Sequence, residues 1–210
     1  MKKNIAMRVA AFLFILTMIS TCAFATTFAK YATSGETSDV ARVAKWGVVV
    51  NATGADTLFA SQYNEGKVKS LTSEDVVAPG TSGSLADFTV SGSPEVAVNV
   101  TYSADLELVG WEIESEEYCP IVITINGNDY AVGEDTIDTI EDLETAVENA
   151  IAAQSKSVAV GTPITGTLNV SWSWAYSTSA DNDVKDTKLG NLATAPTIQL
   201  DVTCIVVQAA

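Results

Sequence analysis

The chain has 210 residues and a net charge of -15, from 26 acidic and 11 basic side chains, and it contains no histidine. The acidic balance argues against nucleic-acid binding, which needs a basic face to displace phosphate counterions. The lack of imidazole excludes His-based catalytic triads and HExxH zinc sites. A carboxylate pair of the glycosidase type survives this filter but has no motif in its support, so we predict no catalytic residue and no enzyme.

Residues 1–25 have the pattern of a secretory leader. Lys2, Lys3 and Arg8 precede and flank an apolar run over 9–19, and Ala23-Phe24-Ala25 is a small-x-small cleavage site. The apolar run is shorter than the roughly 20 residues that span a bilayer. We therefore expect a secreted protein, extracellular or at the cell surface, that touches a membrane only transiently through its leader. Cleavage before Thr26 leaves 185 residues with a net charge of -18.

Residues 26–39 form a separate N-terminal segment. Phe28, Ala29, Lys30, Tyr31 and Ala32 include strong strand formers, and the polar hinge 33–39 divides them from the body. Such a segment either folds back as an edge strand of its own sheet or adds to the edge of a neighbouring subunit. Repeated head to tail, the second arrangement builds a filament.

From residue 40 onward the pattern is that of one β domain, 40–210. Strands are predicted over 40–50, 85–90, 95–105, 106–114 and 119–125, with 76–84 as a loop. Asn126-Gly127 is a type I′ hairpin signal.

A change to helical period follows, and an amphipathic helix is predicted over about 137–153. Asp138 is the expected N-cap, with Glu141 three residues on. The acidic residues Glu141, Glu144 and Glu148 form either a solvated face or a surface for a cation or basic partner.

The last part of the chain returns to strand patterns. A strand is predicted over 166–176, a polar loop over 177–191 and a final strand over 197–207. Five large side chains alternate in the first of these: Leu168, Val170, Trp172, Trp174 and Tyr176. They belong to the core or, if exposed, stack on sugar rings. The many short strands and the inserted helix indicate an antiparallel β-sandwich.

Two further groups of residues are candidate sites. Asp181, Asp183 and Asp186 offer oxygen ligands for Ca²⁺, although the other EF-hand positions do not match and an ordinary acidic loop is the alternative. No other cofactor is expected. Cys119 and Cys204 are both free to form a disulfide in a secreted protein, or to be small buried hydrophobic residues.

Several motifs together resemble a known family. They are Phe28-Ala29-Lys30-Tyr31, Ser34-Gly35, Ala41-Arg42-Val43-Ala44-Lys45-Trp46-Gly47-Val48, Val77-Ala78-Pro79-Gly80, Trp172-Ser173-Trp174 and Asp186-Thr187-Lys188-Leu189-Gly190. The chain resembles secreted Gram-positive proteins with a SipW-dependent type of signal peptide, of which TasA and camelysin are the best known. The resemblance implies a jelly-roll-like sandwich that forms biofilm-matrix fibres with copies of itself or related secreted subunits, residues 28–32 being the donor strand. The alternative is a monomeric surface-displayed module that binds a glycan or a protein.

Overall fold

The computed structural model describes residues 13–14, 41–52, 58–85, 88–176 and 179–210. The chain divides into two compact units, residues 1–43 and 44–210. In the first unit, Leu13 and Phe14 of the predicted leader are helical. The predicted donor residues 28–32 and hinge 33–39 lie outside the described residues.

The second unit is a mainly β, antiparallel sandwich, which confirms the predicted fold class. In chain order its strands are β1 (Val48–Ala52), β2 (Gln62–Tyr63), β3 (Val68–Lys69), β4 (Thr81–Ser84), β5 (Phe88–Gly92), β6 (Val98–Val109), β7 (Glu112–Ile113), β8 (Glu116–Glu117), β9 (Val122–Ile125), β10 (Asn128–Tyr130), β11 (Lys156–Val158), β12 (Ile164–Leu168), β13 (Val170–Trp174) and β14 (Thr197–Gln208). The helices are α1 (Ile140–Ala152) and α2 (Ala180–Gly190).

The strands form three main sheets, ordered β1-β5-β12, β10-β9-β13-β4 and β11-β6-β14, with two small hairpins, β2-β3 and β7-β8. The third sheet faces the other two across one apolar core. Phe88 of β5 and Tyr102 of β6 meet with ring centroids 6.0 Å apart. Helix α1 packs on β6, β9 and β10 and closes one side of the sandwich.

The longest pairing joins all twelve residues of β6 to all twelve of β14, from Val98↔Gln208 to Val109↔Thr197. The predicted last strand is thus confirmed. The predicted break between strands 95–105 and 106–114 is wrong, because β6 continues without interruption to Val109. The next residue is Gly110, whose φ of +78° suits glycine.

The strand predicted over 166–176 is two strands in two sheets. β12 pairs with β5, whereas β13 pairs with β4 and β9, and the chain passes between the sheets at Asn169. Asn169 exchanges hydrogen bonds with Asn126 at this crossing, through its N–H and its carbonyl. Four of the five alternating side chains are buried, and Tyr176, beyond the end of β13, is 72% exposed.

Other boundaries also differ from the predictions. β1 begins at Val48 rather than at residue 40, and β4 lies within the predicted loop 76–84. The Asn126-Gly127 hairpin is confirmed, since both residues have positive φ and join β9 to β10. A predicted loop is wrong at 177–191, where α2 runs from residue 180 to 190.

Helix α1 confirms the predicted helix with a shifted cap. Thr139, not Asp138, is the N-cap, and its hydroxyl oxygen accepts from the N–H of Asp142 at 3.1 Å. The Asp142 carboxylate accepts in return from the N–H of Thr139 at 3.0 Å. This capping box holds the pKa of Asp142 below its usual value, the hydroxyl of Thr139 being the first cause.

The shifted cap is testable by comparing Thr139→Ala with Asp138→Ala. Loss of the capping oxygen is expected to lower the free energy of unfolding by about 1 kcal/mol. Asp138→Ala is the control, with an expected change below about 0.5 kcal/mol. Urea denaturation followed by circular dichroism measures both, and a larger effect for Asp138→Ala would contradict the assignment.

Candidate functional site at the outer edge of strand β14

The direction in which the N–H and C=O groups of β14 point follows from the hydrogen bonds of its partner strand, β6. Leu106 and Leu108 of β6 donate their N–H groups away from β14, and Ala209 donates to the carbonyl of Ala97 at 2.8 Å. Because bonded and non-bonded pairs alternate in an antiparallel ladder, the odd-numbered residues carry the bonds between β6 and β14. The even-numbered residues of β14 therefore direct their N–H and C=O groups to its outer edge.

The opposite edge of this sheet is covered. Beyond the short pairing with β11, the N–H groups of β6 donate to side chains: Tyr102 to Ser155 Oγ at 2.9 Å, Leu106 to Glu148 Oε1 at 3.2 Å and Leu108 to Glu144 Oε1 at 2.7 Å. Helix α1 thus takes the place of a strand along this edge.

These contacts assign a structural role to two of the three helix carboxylates. Glu144 and Glu148, one helical turn apart, are half-buried and bonded to β6, whereas Glu141 is exposed. The predicted alternatives, a solvated face or a cation-binding surface, are therefore wrong for Glu144 and Glu148. The sequence showed the spacing but not the strand that the carboxylates cover.

No strand of the described residues pairs with the outer edge of β14. The side chains of β14 that point into the sandwich are Ile198, Leu200, Val202, Cys204 and Val206, and they are only half-buried. Their partners on β6 are largely buried. Open edges are templates for adding another strand, and proteins usually cover or shorten them. Among the described residues, all twelve positions of β14 are without a second strand partner, so this edge is the candidate site.

A cavity of about 460 Å³ adjoins the start of β14. One wall is formed by Pro196, Thr197 and Ile198, and the other by Phe59 and residues 74–77. Trp111 and Trp174 also line it, with ring centroids 5.8 Å apart. A cavity of roughly 150 Å³ already holds benzene, so this one accepts a whole aromatic side chain.

The cavity carries polar groups of complementary kinds. Trp174 is 6% exposed, and its indole N–H is buried with no hydrogen-bond partner among the described residues. The corresponding donors of Trp172 and Trp111 are satisfied, by the carbonyls of Leu58 at 2.6 Å and Thr197 at 2.8 Å. Glu74 and Asp75 add two carboxylates to the lining. The cavity lining thus combines apolar walls with two carboxylates, and the Trp174 N–H stays a buried donor with no acceptor among the described residues.

A second space lies further along β14, between Leu200 and the side chains of Ile123, Val170 and Trp172. Its volume is about 10 Å³, which is barely enough for one water molecule. Ile198 borders both spaces, whereas Leu200 borders only the small one.

The aromatic stripe belongs to the core. Trp172 and Trp174 are 2% and 6% exposed, and Trp172 packs on Phe59 and Tyr63. Rings that stack on sugars need an exposed face, so the predicted core alternative is the one that the structure supports.

The predicted Ca²⁺ ligands lie on α2. Asp181 and Asp183 are in its first turn, and Asp186 accepts a hydrogen bond from the hydroxyl of Tyr118 at 2.7 Å. Burial, together with this carboxylate, raises the pKa of Tyr118 far above its usual value. Within the described ranges, no group of three or more acidic or sulfur ligands is placed to hold a metal ion.

The two cysteines of the body are both free thiols, not a disulfide. Cys119 is buried, and burial raises its pKa to about 11. Cys204 faces Tyr102 across the ladder, and burial raises its pKa as well. Both are therefore in the neutral, poorly nucleophilic form near pH 7.

Sequence reasoning missed the open edge and the cavity. The alternation in 197–207 indicated a strand, but strand order decides whether that strand has one neighbour or two. Of the cavity residues, Trp174 belonged to the predicted alternation, whereas Trp111 lay within the predicted strand 106–114 and Phe59 outside any predicted element, with no pattern that marked either residue.

The hydrogen bonds between α1 and the edge of β6 predict different effects on stability when two carboxylates of α1 are removed. Glu144→Ala leaves the N–H of Leu108 without its charged acceptor, so the free energy of unfolding is expected to fall by about 1.5–3 kcal/mol. Glu141→Ala is the matched control, with an expected change within about 0.5 kcal/mol. Amide hydrogen exchange at Leu108 is expected to accelerate only in the first variant, and equal effects would contradict the role of Glu144.

The indole N–H groups of Trp172 and Trp174 predict a second difference in stability. Trp172→Phe leaves the buried carbonyl of Leu58 unsatisfied, whereas Trp174→Phe removes a donor that has no acceptor among the described residues. Since the two substitutions remove similar volumes, Trp172→Phe is expected to destabilise by at least about 1 kcal/mol more. Chemical denaturation measures the difference, and the reverse order would refute the assignment of the unused donor.

No family model, curated protein or solved structure matches this chain. The likeness to TasA and camelysin therefore stays a prediction from motifs. Among the helices of the described residues, none is long and apolar enough to cross a membrane.

Proposed function

We propose that this chain is a non-enzymatic secreted structural protein, a subunit of cell-surface or biofilm-matrix fibres that assembles by N-terminal donor-strand addition. Residues 28–32 of one copy add to the outer edge of β14 in the next. The observation that carries the proposal is the unequal treatment of the two edges of one sheet. Helix α1 covers β6 with Glu144 and Glu148, whereas no strand of the described residues pairs with the outer edge of β14.

The open edge meets both requirements of strand addition. Its even-numbered residues direct outward main-chain groups that no strand of the described part of the chain pairs with; these groups supply affinity, and the adjoining cavity supplies a place for one anchoring side chain. Addition would also complete the burial of Ile198, Leu200 and Val202. Because donor and acceptor are different surfaces of one chain, the contact repeats without closing.

Charge explains how export and assembly are kept apart. The chain without its leader has a net charge of -18, and this self-repulsion keeps it soluble as a monomer. Protonation of carboxylates or added salt weakens the repulsion, so acidification favours assembly.

The alternative, a monomeric binding module for a glycan or protein, has less support. It relied either on exposed Trp172 and Trp174, which are buried, or on the acidic segment 181–186, which is part of helix α2 rather than a loop.

Assembly is testable with the secreted chain beginning at Thr26. Sedimentation velocity is expected to show oligomers that grow with concentration and on acidification, and deletion of residues 26–32 is expected to leave only monomer. Unchanged sedimentation after the deletion would overturn the proposal.

The acceptor edge is tested by Val202→Pro, which removes an N–H that points outward and leaves the bonds between β6 and β14 intact. We expect a folded monomer that no longer accepts a donor strand. Val202→Ala is the matched control, since it removes apolar area but keeps the N–H. If both variants assemble like the unmodified chain, β14 is not the acceptor.

A further inference from the structure

We infer that the cavity at the start of β14 binds the side chain of Tyr31 from a second copy, with its segment antiparallel to β14 and Tyr31 opposite Ile198. This inference rests on the proposed function and goes further, because it names the anchoring residue and the register.

Strand geometry allows only one of the two aromatic residues to face the cavity. Side chains alternate between faces along a strand, so Thr27, Ala29 and Tyr31 share one face and Phe28, Lys30 and Ala32 share the other. Phe28 and Tyr31 therefore cannot both point into the sandwich from one regular strand.

The shape of the interior selects the face that carries Tyr31. In the antiparallel register, Tyr31 lies opposite Ile198, which borders both the cavity of about 460 Å³ and the space of about 10 Å³, and Ala29 lies opposite Leu200, which borders only the smaller space. The large side chain is thus next to the large cavity, and the small side chain is next to the small space alone. A parallel segment with Phe28 at the cavity would instead place Lys30 against the apolar space beside Leu200.

The polar groups of the cavity favour tyrosine over phenylalanine. The O–H of a phenol donates to Glu74 or Asp75, while the ring contacts Phe59 and Trp111. Phe28 has no polar group to offer these carboxylates.

The rival antiparallel register places Phe28 opposite Ile198. That register pairs only residues 26–29 with β14, since the mature chain is predicted to begin at Thr26. With Tyr31 at Ile198, residues 26–32 pair with β14, from Thr197 to Thr203. The outer face then places Lys30 opposite Gln199 and diagonal to Asp201, where opposite charges attract.

Disulfide trapping tests the register with the full secreted chain. The double variant Tyr31→Cys/Ile198→Cys is expected to form a covalent ladder under mild oxidation, because directly opposite residues lie within disulfide distance. Phe28→Cys/Ile198→Cys is the matched pair and is expected to form none. The single variants control for Cys119 and Cys204.

The outcomes separate this inference from the proposed function. A ladder from the Phe28 pair alone overturns the register and leaves assembly standing. A disulfide within one chain overturns both, because the segment then belongs to its own sheet. If neither pair reacts, the inference fails, and the deletion of residues 26–32 decides the proposed function separately.

Solution association provides a second readout. Tyr31→Ala is expected to weaken association by about 30-fold, as for a buried aromatic anchor, and Phe28→Ala by much less. Tyr31→Phe is expected to weaken association less than Tyr31→Ala, because the ring stays and only the O–H that donates to Glu74 or Asp75 is lost. No loss with Tyr31→Phe would overturn the proposed hydrogen bond.

Discussion

The pairing of β6 with β14 determines what each surrounding element has to cover. Twelve consecutive pairs fix the direction of every N–H group on both strands, so two rows of backbone groups point away from the ladder on opposite sides. On the β6 side the chain supplies β11, Ser155, Glu148 and Glu144. On the β14 side the described chain supplies no strand, and the inward side chains of β14 stay half-buried as a result.

The two carboxylates that accept hydrogen bonds from the edge of β6 show how an acidic chain uses its excess charge. Carboxylates are acceptors only, so they suit a row of N–H groups that lack strand partners, and their bonds are stronger than those of neutral acceptors. The same charge repels other copies at long range. In the proposed assembly, two carboxylates prevent strand addition at β6, while the remaining acidic surface controls when strand addition at β14 takes place.

Local patterns predicted those features that depend on neighbours in the chain. The Asn126-Gly127 turn, the alternation through Val98 and Val100 and the helical period of α1 all specify their elements within a few residues. The crossing at Asn169 was hidden because inward alternation continues through it while the pairing partner changes. Helix α2 was missed because Leu189 is its only buried residue and its remaining sequence is polar. The site lay beyond prediction since an open edge and a cavity depend on strand order and distant contacts.

In the proposed assembly, recognition and choice of partner reside in different parts of the chain. The cavity and edge recognise a tyrosine in a strand, but they do not distinguish a segment of the same molecule from one of another. A short tether gives a segment an effective concentration of about a millimolar at a site on its own molecule, so binding within one molecule competes with binding between copies. The first strand after the hinge, β1, belongs to a different sheet from β14. In the proposed assembly, the connection between segment and body therefore decides whether the Tyr31 that enters the cavity comes from the same copy or from another, and the cavity decides which side chain of the segment enters.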